Sequence, residues 1–137
     1  HHLPSLGLAY GDLSDTNVLV AQNPKLLTFC LIDPDNLSFS DLPRTGVLGT
    51  ERYIAPELLR GSGLPDRLTD CHALATLLFH LLRLGHPLLG DAVLDAEPAA
   101  EEAALRGDVP YVDHPDDDQN RASHLLPPDL ALTQSLQ

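Results

Sequence analysis

The sequence predicts an α+β domain, mostly helical, with one small β-hairpin that carries two polar loops. Three observations predict it. Residues 17–21 and 26–32 are short apolar runs joined by a 22–25 turn containing Asn23-Pro24, which is hairpin patterning. Residues 71–84 carry Ala73, Leu74, Leu77, Leu78, Leu81 and Leu82 around most of a helical circumference. Two shorter helices, 56–60 and 98–106, open on Pro56 and Pro98 and stop at Gly61 and Gly107, the ends those residues favour.

A chain of 137 residues is enough for one domain with a real core. Its hydrophobic share of 43% is ordinary, but with 4% aromatic residues and neither Trp nor Met, the packing falls to Leu, Ala and Val. The net charge of -12 argues against binding a nucleic-acid backbone, which needs clustered Lys and Arg, and leaves solubility or a basic partner as its reading. Cys30 and Cys71 sit in apolar surroundings without a CxxC pair or zinc-ligand spacing, so they are expected as buried free thiols. No charged-then-apolar leader is visible, and the longest apolar stretch, 73–84, contains His80 and Arg83 and is too short to span a bilayer. A cytoplasmic setting is the expectation. His1 and His2 read either as a tag remnant or as the last turn of a truncated helix.

Taken in order, residues 3–9 are small or apolar, with Pro4 and Gly7 breaking any regular element. The stretch from Tyr10 to Asn17 is too rich in Gly, Asp, Ser and Thr to continue a helix or strand, because these side chains compete for nearby backbone groups. It is either an ordinary Asx-type turn or a ligand loop. The hairpin returns Asp33 to the side from which Asn17 departs, so Asp12, Asn17 and Asp33 are expected to converge on one cation, a hard-oxygen set suited to Mg2+. Residues 35–49 read as a long functional loop. A Gly-Ser-Gly-Leu-Pro linker leads to Thr69 or Asp70 as the cap of the 71–84 helix, expected as a core pillar stopped by Gly85. Beyond it come a turn at 86–90, an acidic connector at 91–97 and a loop at 108–121. The Asp116-Asp117-Asp118 run there is a solvated surface, since it lacks the spaced ligands of a calcium loop. Residues 129–136 begin one more helix.

The order of these landmarks resembles the C-terminal lobe of a eukaryotic-like Ser/Thr protein kinase, of the kind also found in bacteria. Asp12-Leu13 followed by Asn17 is similar to the catalytic loop H-R-D-L-x-x-x-N, Asp33 stands where the Asp of D-F-G belongs, and Ala55-Pro56-Glu57 is a complete A-P-E. Gly49-Thr50 with Arg52-Tyr53 resembles the substrate-docking segment before A-P-E. The resemblance implies a kinase C-lobe over 1–137, with the N-lobe and the last C-lobe helices missing. Within it lie a catalytic loop and hairpin at 12–33, an activation segment at 33–57 and the central buried helix at 70–84. By the same resemblance Asp12 accepts the substrate hydroxyl proton, Asn17 and Asp33 hold Mg2+ on the phosphates of ATP, and Thr50 bonds Asp12. Glu57 anchors the activation segment and Asp70 braces the catalytic-loop backbone. The implied partners are Mg-ATP, a protein substrate and the N-lobe.

The departures from the pattern carry information too. Tyr10 and Gly11 replace the His and Arg of the loop, which removes the cation that grips a phosphorylated activation loop. Ser14 stands at the catalytic position where Ser/Thr kinases carry a Lys. Asp35, in Asp33-Pro34-Asp35, is either a second carboxylate near the metal or a turn residue, and Asp beside Pro favours the turn. With no Gly-rich loop or strand Lys in the chain, the fragment alone is expected to be inactive. Gly-Asp-Leu with Asn17 and Ile32-Asp33 also resembles aminoglycoside and choline kinases, although these lack the 49–57 docking segment. A kinase fold kept without chemistry, as an interaction module, is the third reading.

Overall fold

The computed structural model describes residues 3–23, 25, 28–39 and 49–131. The hairpin forms from β2 (Val18–Val20) and β3 (Phe29–Leu31), antiparallel, with Val18 opposite Leu31 and Val20 opposite Phe29. A second two-stranded ladder joins β1 (Leu8–Ala9) to β4 (Ser38–Phe39), with Leu8 opposite Phe39. The sequence predicts no strand at residues 3–9, because a two-residue strand between Gly7 and a polar loop has no alternation to detect. Leu26 and Leu27 of the expected second strand lie outside the described residues, as do His1, His2, residues 40–48 of the activation segment and residues 132–136.

Among the described residues five α-helices follow: α1 (Pro56–Leu59), α2 (Arg67–Arg83), α3 (Asp91–Leu94), α4 (Pro98–Leu105) and α5 (Pro128–Ala131). The start of α2 corrects the sequence reading. Its cap is Asp66, whose Oδ1 accepts the N–H groups of Leu68 at 2.7 Å and Thr69 at 3.0 Å, while the Thr69 hydroxyl accepts the Asp66 N–H at 2.9 Å. This reciprocal arrangement satisfies the first-turn donors, so neither Thr69 nor Asp70 is needed as the cap. At the other end Leu84 itself takes the left-handed conformation, with φ of 58°, where the sequence pointed to Gly85. Gly85 leaves room for a neighbour instead: a Cβ there would lie 2.2 Å from Leu125 Cδ2.

Contacts divide the chain into two compact units, one up to Leu74 and one from Ala75 onward. In the first, Ala9, Tyr10, Ala55, Leu58 and Ala73 are the buried apolar residues among those described. In the second, the buried apolar set includes Leu77, Leu89, Val93, Leu105, Val112 and Leu125, around a buried Asn120. The Asn120 amide ties three segments together by accepting the Gly90 N–H at 2.9 Å and donating to the carbonyls of Leu88 and Pro110, each at 2.8 Å.

Helix α2 is less enclosed than its composition implied. Its buried positions are Thr69, Ala73, Thr76 and Leu77, one stripe at helical spacing, while Leu68, Leu74, Leu78 and Leu81 are exposed. Periodicity reports which faces are apolar and says nothing of what covers them. The same correction applies to the hairpin, whose Leu19, Val20 and Phe29 are exposed, and to Cys30 and Cys71, both exposed free thiols rather than buried ones. No helix among the described residues is long and apolar enough to cross a membrane.

Candidate active site

The first unit folds its polar loop around one carboxylate. Leaving β1, the chain passes through Tyr10 and Gly11 to Asp12, then closes a 3-10 turn at Asp15–Asn17 that feeds β2. The Asn17 carbonyl accepts the Ile32 N–H at 3.0 Å, so the ladder extends one pair beyond β2 and β3 and delivers Asp33 beside Asn17. Asp33 then turns the chain through the left-handed region, φ 59° and ψ 66°, into the 3-10 turn Pro34–Asn36.

Asp12 lies at the centre of the hydrogen bonds. Its Oδ1 accepts the backbone N–H of Thr50 at 2.7 Å and the Thr50 hydroxyl at 2.9 Å. Its Oδ2 accepts the side-chain amides of Asn17 and Asn36, each at 3.1 Å. Asn17 donates a second time to the Asp12 carbonyl, at 2.9 Å, which fixes the amide plane. Gly49 makes the Thr50 contact possible. Its φ is 111°, and a Cβ there would sit 2.8 Å from the Gly11 carbonyl oxygen.

The loop is held from behind and from the side. Asp70, in the first turn of α2, accepts the N–H groups of Tyr10 at 2.7 Å and Gly11 at 2.9 Å. The Tyr10 hydroxyl donates to the Ile32 carbonyl, tying the loop to the strand that ends at Asp33. Burial raises the Tyr10 phenol pKa first, and the charges of Asp12, Asp33 and Asp70 push it further up, so the group is a neutral donor at ordinary pH. Tyr53 is also raised, by burial and then by the facing Asp15. Asp12, Thr50, Tyr53 and Asp70 share one pocket.

The remaining sequence-selected residues stand apart from that cluster. Ser14 is fully buried, and its hydroxyl lies 2.9 Å from that of Thr16. Glu57 is exposed on α1, and its charge raises the pKa of His72 against the larger lowering caused by burial of that ring. Both Asp12 oxygens are engaged by hydrogen-bond donors, which sets Asn17 and Asp33 apart as the pair of the three expected ligands with side-chain oxygens not so engaged. No cluster of three or more His, Cys, Asp or Glu gathers among the described residues. The pair that remains still fits a hard cation. Asn17 has its nitrogen anchored and its Oδ1 available, and the Asp33 carboxylate makes no capping bond to its own turn. Mg2+ commonly takes one or two such protein oxygens and fills its octahedron with phosphate and water.

Two contributors had no clear signal in the sequence. In the sequence Tyr10 shows only as the residue that replaces the His of the motif. Asn36 falls in a stretch whose sequence predicts only a loop, and the Asp33-Pro34-Asp35-Asn36 turn is what curls it back onto Asp12.

No family model matches the chain. It is similar to the DNA damage-responsive serine/threonine-protein kinase RqkA of Deinococcus radiodurans, 35% identical over 95 residues, which cover 67% of this chain and 14% of RqkA. It is 31% identical over 90 residues to the TGF-beta receptor type-2 of Rattus norvegicus, covering 57% of the chain and 15% of the receptor. With the serine/threonine-protein kinase RUNKEL of Arabidopsis thaliana it shares 38% identity over 81 residues, 57% of the chain and 6% of RUNKEL. The matched stretch is therefore a small part of each relative's length. These similarities, with the helical fold and small sheets, make the chain a fragment of a Ser/Thr protein-kinase domain.

Proposed function

We propose that this fragment is the catalytic-loop part, or C-lobe, of an ATP-dependent Ser/Thr protein kinase, and that the full-length protein transfers the γ-phosphate of ATP to a protein hydroxyl. The observation that carries the reading is the hydrogen-bonded placement of Asp12 by Thr50 and Asn17, a carboxylate fixed in orientation at the mouth of a polar loop. In this reading the substrate hydroxyl oxygen attacks the γ-phosphorus, the bond to the β–γ bridging oxygen breaks, ADP leaves, and the hydroxyl proton passes to Asp12. Asn17 Oδ1 and the Asp33 carboxylate would hold Mg2+, which when bound neutralises charge on the phosphates. Asp70 and Tyr10 keep the loop and the strand end in register, and an N-lobe elsewhere in the protein covers the nucleotide.

The test is phosphotransfer to Ser/Thr peptides by the full-length protein carrying Asp12→Asn or Asp33→Ala. Loss of Asp12 as base is expected to lower kcat by about 10² to 10⁴-fold; transfer undiminished by Asp12→Asn would end the reading.

A second reading, an interaction module on a kinase fold, is favoured by Ser14. Its buried hydroxyl, turned to Thr16, offers no charge at the position where Ser/Thr kinases carry Lys. Tight Mg-ATP binding by the wild-type protein without turnover of any peptide would support that alternative.

A further inference from the structure

One short turn after β3 is fastened to the Asp12 loop at both of its ends. Before the turn, the Tyr10 hydroxyl donates to the Ile32 carbonyl and lies 3.5 Å from the Asp33 carbonyl oxygen. After it, Ser38 pairs with Ala9, the residue ahead of Tyr10. Between these points the chain reverses through Asp33, φ 59° and ψ 66°, and the 3-10 turn Pro34–Asn36, which the Leu37 N–H closes on the Pro34 carbonyl at 2.9 Å. A left-handed residue other than glycine persists where its surroundings fix it, and these bonds fix Asp33.

Asn36 is the last residue of that turn, and it is half-buried. Its Nδ2 donates to Asp12 Oδ2 at 3.1 Å, the same oxygen that Asn17 reaches at 3.1 Å. Asn17 leads into β2 and Asn36 follows β3, so the two segments that flank the hairpin meet on one carboxylate oxygen. Each member of the metal pair is thereby tied to Asp12. Asn17 is tied by its own amide, and Asp33 through Asn36, three residues further along the same closed turn. An amide that donates to a carboxylate makes a charge-assisted bond, stronger than a neutral one.

We infer that Asn36 is a positioning residue for the transfer: its amide sets the Asp12 carboxylate relative to the Asp33 carboxylate, so that the base and the metal-binding turn move as one. This rests on the reading of Asp12 as the base and of Asn17 and Asp33 as the metal pair. Small displacements of a reacting group are costly in rate, and a link of this kind keeps the base in register with the phosphates that the metal pair serves. The coupling runs in both directions, so cation affinity at Asp33 depends in turn on Asp12.

Two measurements on the full-length protein decide it. In steady-state transfer to a Ser peptide, Asn36→Ala is expected to lower kcat about tenfold, the worth of one hydrogen bond to a charged group, and to leave the peptide KM within about twofold of wild type. An unchanged kcat would overturn the inference. The second measurement reads binding alone. Mn2+ is titrated calorimetrically, in the presence of ADP, into wild type, Asn36→Ala, Asp12→Ala and the double variant. Asp12→Ala withdraws a nearby negative charge and frees Asn17 in both backgrounds, so that loss cancels and the remainder is the part carried by Asn36. Asp12→Ala is expected to weaken Mn2+ binding about fivefold more when Asn36 is present than in Asn36→Ala. Equal losses in the two backgrounds, with Mn2+ binding weakened by Asp33→Ala, would overturn the inference and leave the metal reading standing. Mn2+ affinity unchanged by Asp33→Ala would instead end the reading of Asp33 as a ligand, and the inference with it.

Discussion

The Asp70 carboxylate grips the main chain of Tyr10 across 60 residues of sequence, with Oδ2 accepting the Tyr10 N–H at 2.7 Å. Its other oxygen takes the next N–H, that of Gly11, at 2.9 Å. One side chain in the first turn of α2 thus sets two consecutive peptide planes immediately before Asp12. Charge-assisted bonds of this kind are shorter and stronger than neutral ones. The orientation of the Asp12 loop depends on a helix far along the chain.

Removing that carboxylate is expected to be costly. Asp70→Ala leaves two part-buried N–H groups without their acceptor and should destabilise the first unit by about 2–3 kcal/mol. Asp70→Asn retains one acceptor oxygen and should cost about half as much, with its remaining amide end set against an N–H donor. Urea denaturation followed by circular dichroism measures both. A change within about 0.5 kcal/mol for Asp70→Ala, the range of an ordinary surface substitution, would mean that the loop holds its shape without this brace.

Two glycines in the second unit make a graded comparison. A Cβ at Gly90 would lie 2.2 Å from the Asn120 carbonyl oxygen and 2.4 Å from its Oδ1, so the obstacle includes backbone and the amide that ties three segments. A Cβ at Gly85 would meet Leu125 Cδ2 at the same 2.2 Å, but that atom ends a flexible side chain. Gly90→Ala is therefore expected to cost about 3 kcal/mol or more, at the upper end of overpacking penalties, and Gly85→Ala about 1 kcal/mol after Leu125 changes rotamer. Chemical denaturation of the two variants side by side tests the order; equal losses would show that Asn120 yields as readily as Leu125.

The parts of this fold legible in the sequence were those written in local chemistry. The Asn23-Pro24 turn between two apolar runs marked the hairpin, Pro56 and Gly61 bracketed α1, and Pro98 with Gly107 bracketed α4, each through a backbone preference that needs no distant partner. Candidate site residues were legible as residue types in order, whereas their partners were not. That Asn36 reaches Asp12 depends on the left-handed turn at Asp33, and that Tyr10 bonds Ile32 depends on how the loop lies against β3. Burial was the least legible quantity. Cys30, Phe29 and Leu81 belong to apolar stretches and are nevertheless exposed, since an apolar stripe identifies a face without naming its cover.

The start of α3 carries a pH dependence whose sign is fixed by its hydrogen bonds. Bonds from Ser123 and then His124 hold the Asp91 carboxyl down from the ordinary 3.8 to about 2. The Ser123 N–H lies 2.9 Å from Oδ2, and His124 Nδ1 lies 3.0 Å from Oδ1. A depressed carboxylate pKa means that the folded chain binds the proton less readily than the unfolded one, so the contribution is complete above the ordinary value and disappears as pH falls through about 2. Asp91→Asn has no charge to titrate and isolates the effect. The difference in urea midpoint between wild type and Asp91→Asn should have its full size near pH 5 and should shrink steadily from pH 4 towards pH 2. The carboxyl 13C shift of Asp91 should titrate at the low end of the same window. A midpoint difference that stays level down to pH 2, or an Asp91 titration at the ordinary carboxylate value, would mean that Ser123 and His124 do not hold this carboxylate in solution.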